Sequence, residues 1–478
     1  MSSLHRTRPP LWSAAELREA LAPVEGEAVD VDGISIDSRT LSPGDLFVAL
    51  SGGPDPRYRG AGGSGRDGHA FVVDAARAGA AAALVSRPVG DALAELRVAD
   101  VFDALWRLAR AGRDRCRAPV FAITGSSGKT TAKGMLAAAL EAIRGDCHAA
   151  EGSLNNHIGV PLSLARMPAD AASAVFEIGM NSPGEIEPLA RLVRPDVALV
   201  LNVLPVHLEG LGSIEAIRTE KLSIARGLGP EGILVVHEAV SLTGVDAPRV
   251  LRFGGSPRAD VRLEDAGEGV RILLPDGRVL DAAHLAESPH RRLTACAVVA
   301  MLHAAGLDPA AGLAAIAATA PPPGRGGIRD CGGVALIDDA YNANPESVRL
   351  ALEGLRERST GRRWALLGDM LELGPDELDA HAGLAPACAG LDGVFCVGER
   401  TRALHAALPE SLRAGWWPDC EALELERVVS RLARGRPAGE GLQSVVLEAR
   451  DRGRSLRVPG FVTDPAAVSY CGTLKESQ

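Results

Sequence analysis

The run Gly125-Ser-Ser-Gly-Lys-Thr-Thr131 has the residue types and spacing to hold phosphate. Glycines let the backbone approach phosphate oxygens closely, and free N–H groups at a helix start point toward them. Lys129 supplies a point charge, and Thr130 supplies a hydroxyl suited to Mg²⁺. The general phosphate loop places four residues between its first glycine and the Gly-Lys pair. Here Gly125 stands only three positions before Gly128, a compressed form. Such a loop needs a strand before it and a helix after it. Val120–Ile123 reads as a short buried strand, and Lys129 opens a helix with apolar positions at Met135, Leu136 and Leu140.

Other strand ends carry further candidates. Ala174-Val-Phe-Glu-Ile178 puts Glu177 at the end of an apolar strand. In a parallel sheet the strand C-termini share one edge with the phosphate loop, so Glu177 is a carboxylate available to Mg²⁺. Leu201-Asn-Val-Leu-Pro-Val-His207 brings His207 to the same edge. Asn155, Asn156 and His157 lie together in one loop, where Asn155 either contacts ligand or caps a turn. Ala335-Leu-Ile-Asp-Asp-Ala-Tyr-Asn-Ala-Asn-Pro345 is another strand running into a polar turn. Its Asp338 and Asp339 either accept from a ribose or orient Mg²⁺, or they cap the helix that starts at Pro345. Leu366-Leu-Gly-Asp-Met-Leu-Glu-Leu-Gly374 is a third strand-to-turn of this kind.

Lysine is scarce. Of 51 Lys+Arg, only Lys129, Lys133, Lys221 and Lys475 are lysine. Each is a candidate for chemistry that arginine cannot do, because lysine offers a compact ammonium and, once deprotonated, a nucleophilic amine. Lys129 fits that logic. Lys133 reads as a solvated helix residue, and Lys475 as a tail residue.

At 478 residues the chain is long enough for about three domains. Strands alternating with helices imply an α/β fold with parallel sheets covered on both faces. Expected strands include Val29–Ile36, Leu46–Leu50, Ala82–Val85, Val175–Ile178, Val197–Val203, Ile233–Val236, Val334–Ile337, Trp364–Leu367 and Gln443–Leu447. Ala70–Gly79 and Pro345–Arg358 read as helices, Gly52–Gly68 as a surface loop, and the Pro-rich run Ala320–Arg325 as a boundary. The net charge of −10 argues against a general nucleic-acid partner. No apolar run approaches the ~20 residues of a membrane helix. No apolar h-region follows the basic Met1–Pro10, which argues against a secretory signal. The eight cysteines form no Cys-x-x-Cys pair and read as reduced thiols of a cytoplasmic protein.

The ordered set of motifs resembles the Mur ligase family. The matching residues are Ile36-Asp-Ser-Arg39, Gly44-Asp-Leu-Phe-Val-Ala49, Asp67-Gly-His-Ala-Phe71, Thr124–Thr131, Asn155-Asn156, Glu177-Ile-Gly-Met180, His207-Leu-Glu-Gly210, Pro323-Gly-Arg-Gly326, Ile337–Pro345 and Gly368–Gly374. The Asp338–Pro345 and Gly368–Gly374 runs resemble the branch that joins D-alanyl-D-alanine to UDP-N-acetylmuramoyl-tripeptide. The resemblance implies a cytoplasmic, monomeric, ATP-dependent ligase of three domains. Residues 1–94 form a small α/β domain for the UDP end, with Ser38 and Arg39 near it. Residues 95–321 form a central phosphate-loop ATPase domain that binds ATP through Gly125, Ser126, Ser127, Gly128, Lys129, Thr130, Thr131 and Asn155. Residues 322–478 form a Rossmann-like domain, with Arg325 and Asp339 on ATP. Substrate positions are Asn156, Tyr341, Asn342 and Asn344. A substrate carboxylate attacks the γ-phosphate to give an acyl phosphate, and the dipeptide amine displaces phosphate. Lys129, Lys221, His207 and Glu177 are the implied catalytic residues, with Thr130, Glu177, His207 and Lys221 at Mg²⁺. Lys221 matches a family lysine carbamoylated by CO₂, a modification arginine cannot take.

Two stretches depart from the family. A His-Asn-x-x-Asn motif reads His290-Arg-Arg-Leu-Thr294 here, so Thr294 lacks the amide that contacts adenine. A Lys-Gly-Ser-Arg motif is replaced by Val446-Leu-Glu-Ala-Arg-Asp-Arg452 in a tail that turns atypical from about Glu448. Codons GCA AGG GAT CGG for Ala449–Arg452 would read Lys-Gly-Ser in a shifted frame, so a change of reading frame is one expectation for that tail. Two other functions stay open: a sibling Mur-type amino-acid ligase, and a protein that binds UDP-muramoyl peptide without ligating it.

Overall fold

The computed structural model describes residues 9–52, 65–90, 92–150, 152–205, 208–267, 269–282, 285, 289–330, 334–358, 361–371, 373–423, 428, 443–448, 450–451 and 454–455. The chain divides into two compact units. One is drawn from Met1–Val203, Arg218–His284 and Ala295–Ala317, the other from Leu204–Ile217, Leu285–Thr294 and Ala318–Gln478.

The first unit holds two sheets among its described residues. Strands β1 (Gly33–Ser35), β2 (Asp45–Val48), β3 (Ala82–Val85) and β4 (Ala94–Arg97) pair in parallel in that order. Leu46, Leu84 and Leu96 of this sheet share a buried core with Trp12, Leu105 and Leu162. The strand expected over Val29–Ile36 is therefore shorter. Val31 is drawn into an antiparallel bridge with Trp12 instead of extending β1. The helix expected over Ala70–Gly79 opens as a tight 3₁₀ turn, Gly68–Phe71, before Val72–Arg77.

The larger sheet contains β5 (Val120–Thr124), β6 (Cys147–Ala149), β7 (Ser173–Glu177), β8 (Val197–Val200), β9 (Ile233–His237), β10 (Arg249–Gly254), β11 (Val261–Asp265), β12 (Val270–Leu273) and β13 (Val279–Asp281). Their order is β13-β12-β11-β10-β9-β8-β5-β7-β6. The ladders from β6 through β11 are parallel, while β11, β12 and β13 run antiparallel. The expected parallel sheet thus carries an antiparallel edge. The Ala266 N–H donates to the Gly269 carbonyl at 2.8 Å and the Leu274 N–H to the Arg278 carbonyl at 2.9 Å, so the short connections on either side of β12 each turn the chain straight back.

The second unit contains β14 (Gly327–Asp330), β15 (Val334–Asp338), β16 (Arg363–Gly368), β17 (Gly393–Val397), β18 (Arg413–Trp417) and β19 (Gln443–Glu448). Their order is β14-β15-β19-β16-β17-β18, parallel except for β14 against β15. Side chains of a strand alternate between faces. Along β16, Ala365 and Leu367 join a core with Leu352 and Val394, while Trp364 and Leu366 join another with Phe395 and Trp417. Both faces are covered, as the apolar strand composition requires.

His207, residues 53–64 of the expected surface loop, and most of the tail after Glu448 lie outside the described residues, and with them the reading-frame expectation. Among the described residues no helix is long and apolar enough to cross a membrane.

Candidate active site

In the first unit the phosphate loop joins β5 to the helix Lys129–Arg144. Strand β5 lies between β7 and β8, with Ile123 beside Glu177 and Thr124 beside Val200. Three strand ends therefore meet at one edge. Gly128 precedes the helix with φ 77°, the left-handed conformation that glycine adopts without steric cost. Lys129 Nζ donates to the Gly125 carbonyl at 2.9 Å, folding the side chain back over its own loop.

Asn202, just past the end of β8, shapes the other side of the loop. Its Oδ1 accepts from the Ser126 and Ser127 N–H groups at 2.9 and 3.0 Å, and its Nδ2 donates to Ser127 Oγ at 3.2 Å. Sequence reasoning passed over Asn202. The available signal was its place at the start of the strand-end run that finishes at His207.

Glu177 ends β7 and is only 1% exposed. Its Oε2 accepts from Thr130 Oγ1 at 2.9 Å, and its Oε1 accepts from Asn155 Nδ2 at 2.8 Å. The expected candidates Thr130, Asn155 and Glu177 thus meet around one carboxylate. Gly179 makes room for this arrangement, because a Cβ there would stand 2.9 Å from Asn155 Cγ. The Asn155 side chain contacts Glu177, whereas Asn156 does the capping. Asn156 Oδ1 accepts from the N–H groups of Ile158 and Gly159 at 3.1 and 2.8 Å.

Lys133 corrects the sequence expectation. It is buried, not solvated, and its Nζ donates to the carbonyls of Ala150 and Gly152 at 2.5 Å each. One helical turn separates it from Lys129, so both lysines lie on the same helix face.

Lys221 is 2% exposed near the end of the helix Ile214–Leu222. Burial and the nearby charge of Lys129 push its amine well below the ordinary lysine range, with Glu220 acting in the opposite direction. The Glu220 carboxylate is itself engaged, accepting from the Gly184 and Ile186 N–H groups at 2.8 Å each. Ser38 is half-buried and Arg39 exposed, beyond the end of β1. Arg39 forks onto Asp37, with Nε–Oδ1 3.0 Å and Nη2–Oδ2 2.8 Å, and this contact holds the Asp37 carboxyl below its usual range.

The second unit brings together its own candidates. The Arg325 guanidinium stacks 3.9 Å from the centroid of the Tyr341 ring, and the Tyr341 N–H donates to the Gly324 carbonyl at 3.0 Å. Asp339 is raised to about 7, first by burial, with Arg325 opposing the shift and Asp338 adding to it. The capping alternative for the two aspartates goes instead to Asn344. Its Oδ1 accepts from the Glu346 and Ser347 N–H groups at 3.1 and 3.0 Å, at the start of Pro345–Arg358. Asn342 is exposed. Thr294 Oγ1 donates to the His290 carbonyl at 2.9 Å, within its own helix. In the Gly368–Gly374 motif, Asp369 accepts from the Thr401 N–H at 2.9 Å and so ties the end of β16 to the helix Thr401–Ala407 that follows β17.

A strand, a compressed phosphate loop and a helix at the carboxyl edge of a parallel sheet make this a phosphate-loop α/β protein. The family descriptions "Mur ligase middle domain" and "Mur ligase, glutamate ligase domain" match residues 123–277 and 324–433. The UDP-N-acetylmuramoyl-tripeptide--D-alanyl-D-alanine ligase of Escherichia coli (strain K12) is 35% identical over 80% of this chain and 85% of its own length. The Bacillus subtilis (strain 168) protein of the same name is 32% identical over 81% of this chain and 84% of its own. Among solved structures, MurF from Acinetobacter baumannii superposes with a TM-score of 0.77 at 28% identity, covering 92% of this chain and 96% of that one. MurF ligase from Thermotoga maritima in complex with ADP gives 0.71 at 27% identity, covering 87% and 93%. The chain belongs to the Mur ligase family.

Proposed function

We propose that this chain is an ATP-dependent carboxylate–amine ligase. On this reading it joins D-alanyl-D-alanine to UDP-N-acetylmuramoyl-tripeptide through an acyl phosphate, in the cytoplasmic synthesis of peptidoglycan precursor. The observation that carries the reading is a phosphate loop built against Glu177 in a chain 35% identical to a relative named for that activity. The assigned domains are residues 1–94 for the UDP end, 95–321 for ATP and 322–478 for the amine substrate.

The reaction brings a carboxylate up to a phosphate, so the site must supply positive charge. Lys129 supplies it from the loop. N–H groups at the helix start hold phosphate oxygens in place, while Asn202 Oδ1 takes up the Ser126 and Ser127 N–H groups and braces the loop. Glu177 and Thr130 are hard oxygen donors, which suit Mg²⁺, an ion that takes one or two carboxylates and completes its shell from phosphate and water. Bound there, Mg²⁺ would supply further neutralising charge on the phosphates. His207 and Lys221 complete the assigned donor set.

A lysine cation would repel that metal. The depressed pKa of Lys221 favours the neutral amine, which can attack the carbon of CO₂. An N–C bond forms, one N–H proton leaves to solvent, and the product is a carbamate anion. We assign Arg325 and Asp339 to ATP, Ser38 and Arg39 to the UDP end, and Asn156, Tyr341, Asn342 and Asn344 to substrate.

Phosphate release measured with ATP, UDP-N-acetylmuramoyl-tripeptide and D-alanyl-D-alanine, each omitted in turn, tests the whole reading. Release that needs all three supports it. Release that needs a different amine identifies a sibling ligase. Substrate binding with no release under any combination identifies a binding protein.

A further inference from the structure

The mechanism above does not use Lys133, yet its placement is unusual for a charged side chain. The side chain is 6% exposed. Lysine is almost never fully buried unless it is paired, because removing an ammonium from water is costly. Here the partners include two backbone carbonyls, Ala150 and Gly152, at 2.5 Å each, and Glu177 Oε2 at 3.9 Å. Those carbonyls open the segment that carries Asn155. Asn155 holds Glu177 Oε1 at 2.8 Å, and its carbonyl accepts from the Gly179 N–H at 2.8 Å. Thr130, from the same helix as Lys133, holds Glu177 Oε2.

We propose that Lys133 is a positioning residue, a buried cation that pins Ala150 and Gly152, and with them the approach to Asn155, to the phosphate-loop helix and thereby fixes the direction of the Glu177 carboxylate. The proposal rests on the reading of Glu177 as a metal carboxylate. The geometry explains why a lysine stands here in a chain that otherwise uses arginine. Two carbonyls and a carboxylate gathered around one nitrogen suit a compact ammonium. A planar guanidinium spreads its charge over a rigid fork and needs more width. Helical spacing adds to this. Lys129 and Lys133 are four residues apart, so one turn serves the loop and the next serves the carboxylate.

The test uses the full chain with Lys133→Met, which keeps the apolar stem and removes the charge. Lys133→Gln, which keeps donors without charge, replaces it if the methionine variant does not fold by circular dichroism. Lys133→Arg is the conservative control. Hydrogen exchange of residues 150–158 is read without ligand, and Mn²⁺ binding in the presence of ADP is read by electron paramagnetic resonance. We expect at least about tenfold faster exchange in that segment and about tenfold weaker Mn²⁺ binding, with unchanged exchange in β1–β4. The arginine variant restores neither. A folded variant with wild-type exchange at 150–158, or with faster exchange but wild-type Mn²⁺ affinity, overturns the proposal. If the unaltered protein binds no Mn²⁺ with ADP, the reading of Glu177 fails, and the exchange measurement alone decides whether Lys133 holds the segment.

Discussion

Asn155 Nδ2 donates to Glu177 Oε1 at 2.8 Å, across the space that the missing side chain of Gly179 leaves. The contact joins a loop to a strand end that lies 22 residues further along the chain. It also orients the carboxylate. With Oε1 on Asn155 and Oε2 on Thr130, each oxygen still has a lone pair to offer, since an ionised carboxylate accepts at about four sites. The result is a fixed anion at the loop edge with acceptor capacity left for a cation.

Gly179→Ala tests that relationship. Its Cβ would stand 2.9 Å from Asn155 Cγ and 3.0 Å from Nδ2, so the amide must move. Overpacking of this kind costs about 1–3 kcal/mol of stability. We expect ligation to fall at least about tenfold, and the loss to be shared with Asn155→Ala, because both changes release the same carboxylate oxygen. A double-mutant cycle measures the sharing. Fully additive losses would show that Gly179 and Asn155 act on different things.

Lys129→Ala should leave the fold intact and remove ligation. The side chain is half-buried and folds back over its own loop, with Nζ on the Gly125 carbonyl, and it is not part of the apolar core. Loss of one preorganised charge donor is worth on the order of 10²–10³-fold in rate. Thermal unfolding and phosphate release on the same preparation check both halves. A folded variant with near-wild-type turnover would sink the assignment.

Much of this site is legible in the sequence because its logic is local. Val120–Ile123, the loop and Lys129 follow one another directly, and Glu177 is marked by the apolar strand it ends. Ala82–Val85 and Pro345–Arg358 can be read to the residue for the same reason, since pattern and boundary signals agree. What escapes is set by tertiary contact. Lys133 looks like a surface lysine because nothing near it in sequence reveals the carbonyls of Ala150 and Gly152. Its one signal is compositional, the rarity of lysine. Asn202 lies 75 residues from Ser127, and no local pattern links them. The Gly368–Gly374 turn hides a tie of the same kind, because Asp369 accepts from the N–H of Thr401, 32 residues further on.

Lys221→Ala should be inactive, and short-chain carboxylates should partly restore activity by filling the anionic position. The buried, charge-depressed amine motivates the expectation. Carbon-13 bicarbonate labelling gives a direct reading, in which the active enzyme shows a carbamate carbon that Lys221→Ala lacks. An unmodified amine in the active enzyme rules the carbamate out, whatever the rescue experiment gives.

Asp339 should make the second unit less stable as pH rises toward neutrality. Its folded-state pKa is raised from 3.8 to about 7, chiefly because burial disfavours the charged form. A carboxyl raised in this way contributes stability that is fully present below its ordinary value. That stability is lost as pH climbs through the folded value, because the unfolded chain releases the proton first. The window is therefore pH 4 to 7, with a plateau above it. Asp339→Asn cannot ionise and should flatten that decline. Arg325→Ala should deepen it and extend it to higher pH, since the Arg325 charge is what lowers Asp339. Global melting would mix the two units, so a local probe is needed. Hydrogen exchange of the β15 amides, corrected for the intrinsic pH dependence of exchange, reports opening beside Asp339 at each pH. Carbon-13 carboxyl titration reports the group itself. Titration of Asp339 near its ordinary value, or an identical pH profile in Asp339→Asn, would defeat the prediction and remove the reason to treat the Arg325–Asp339 pair as a group tuned by burial.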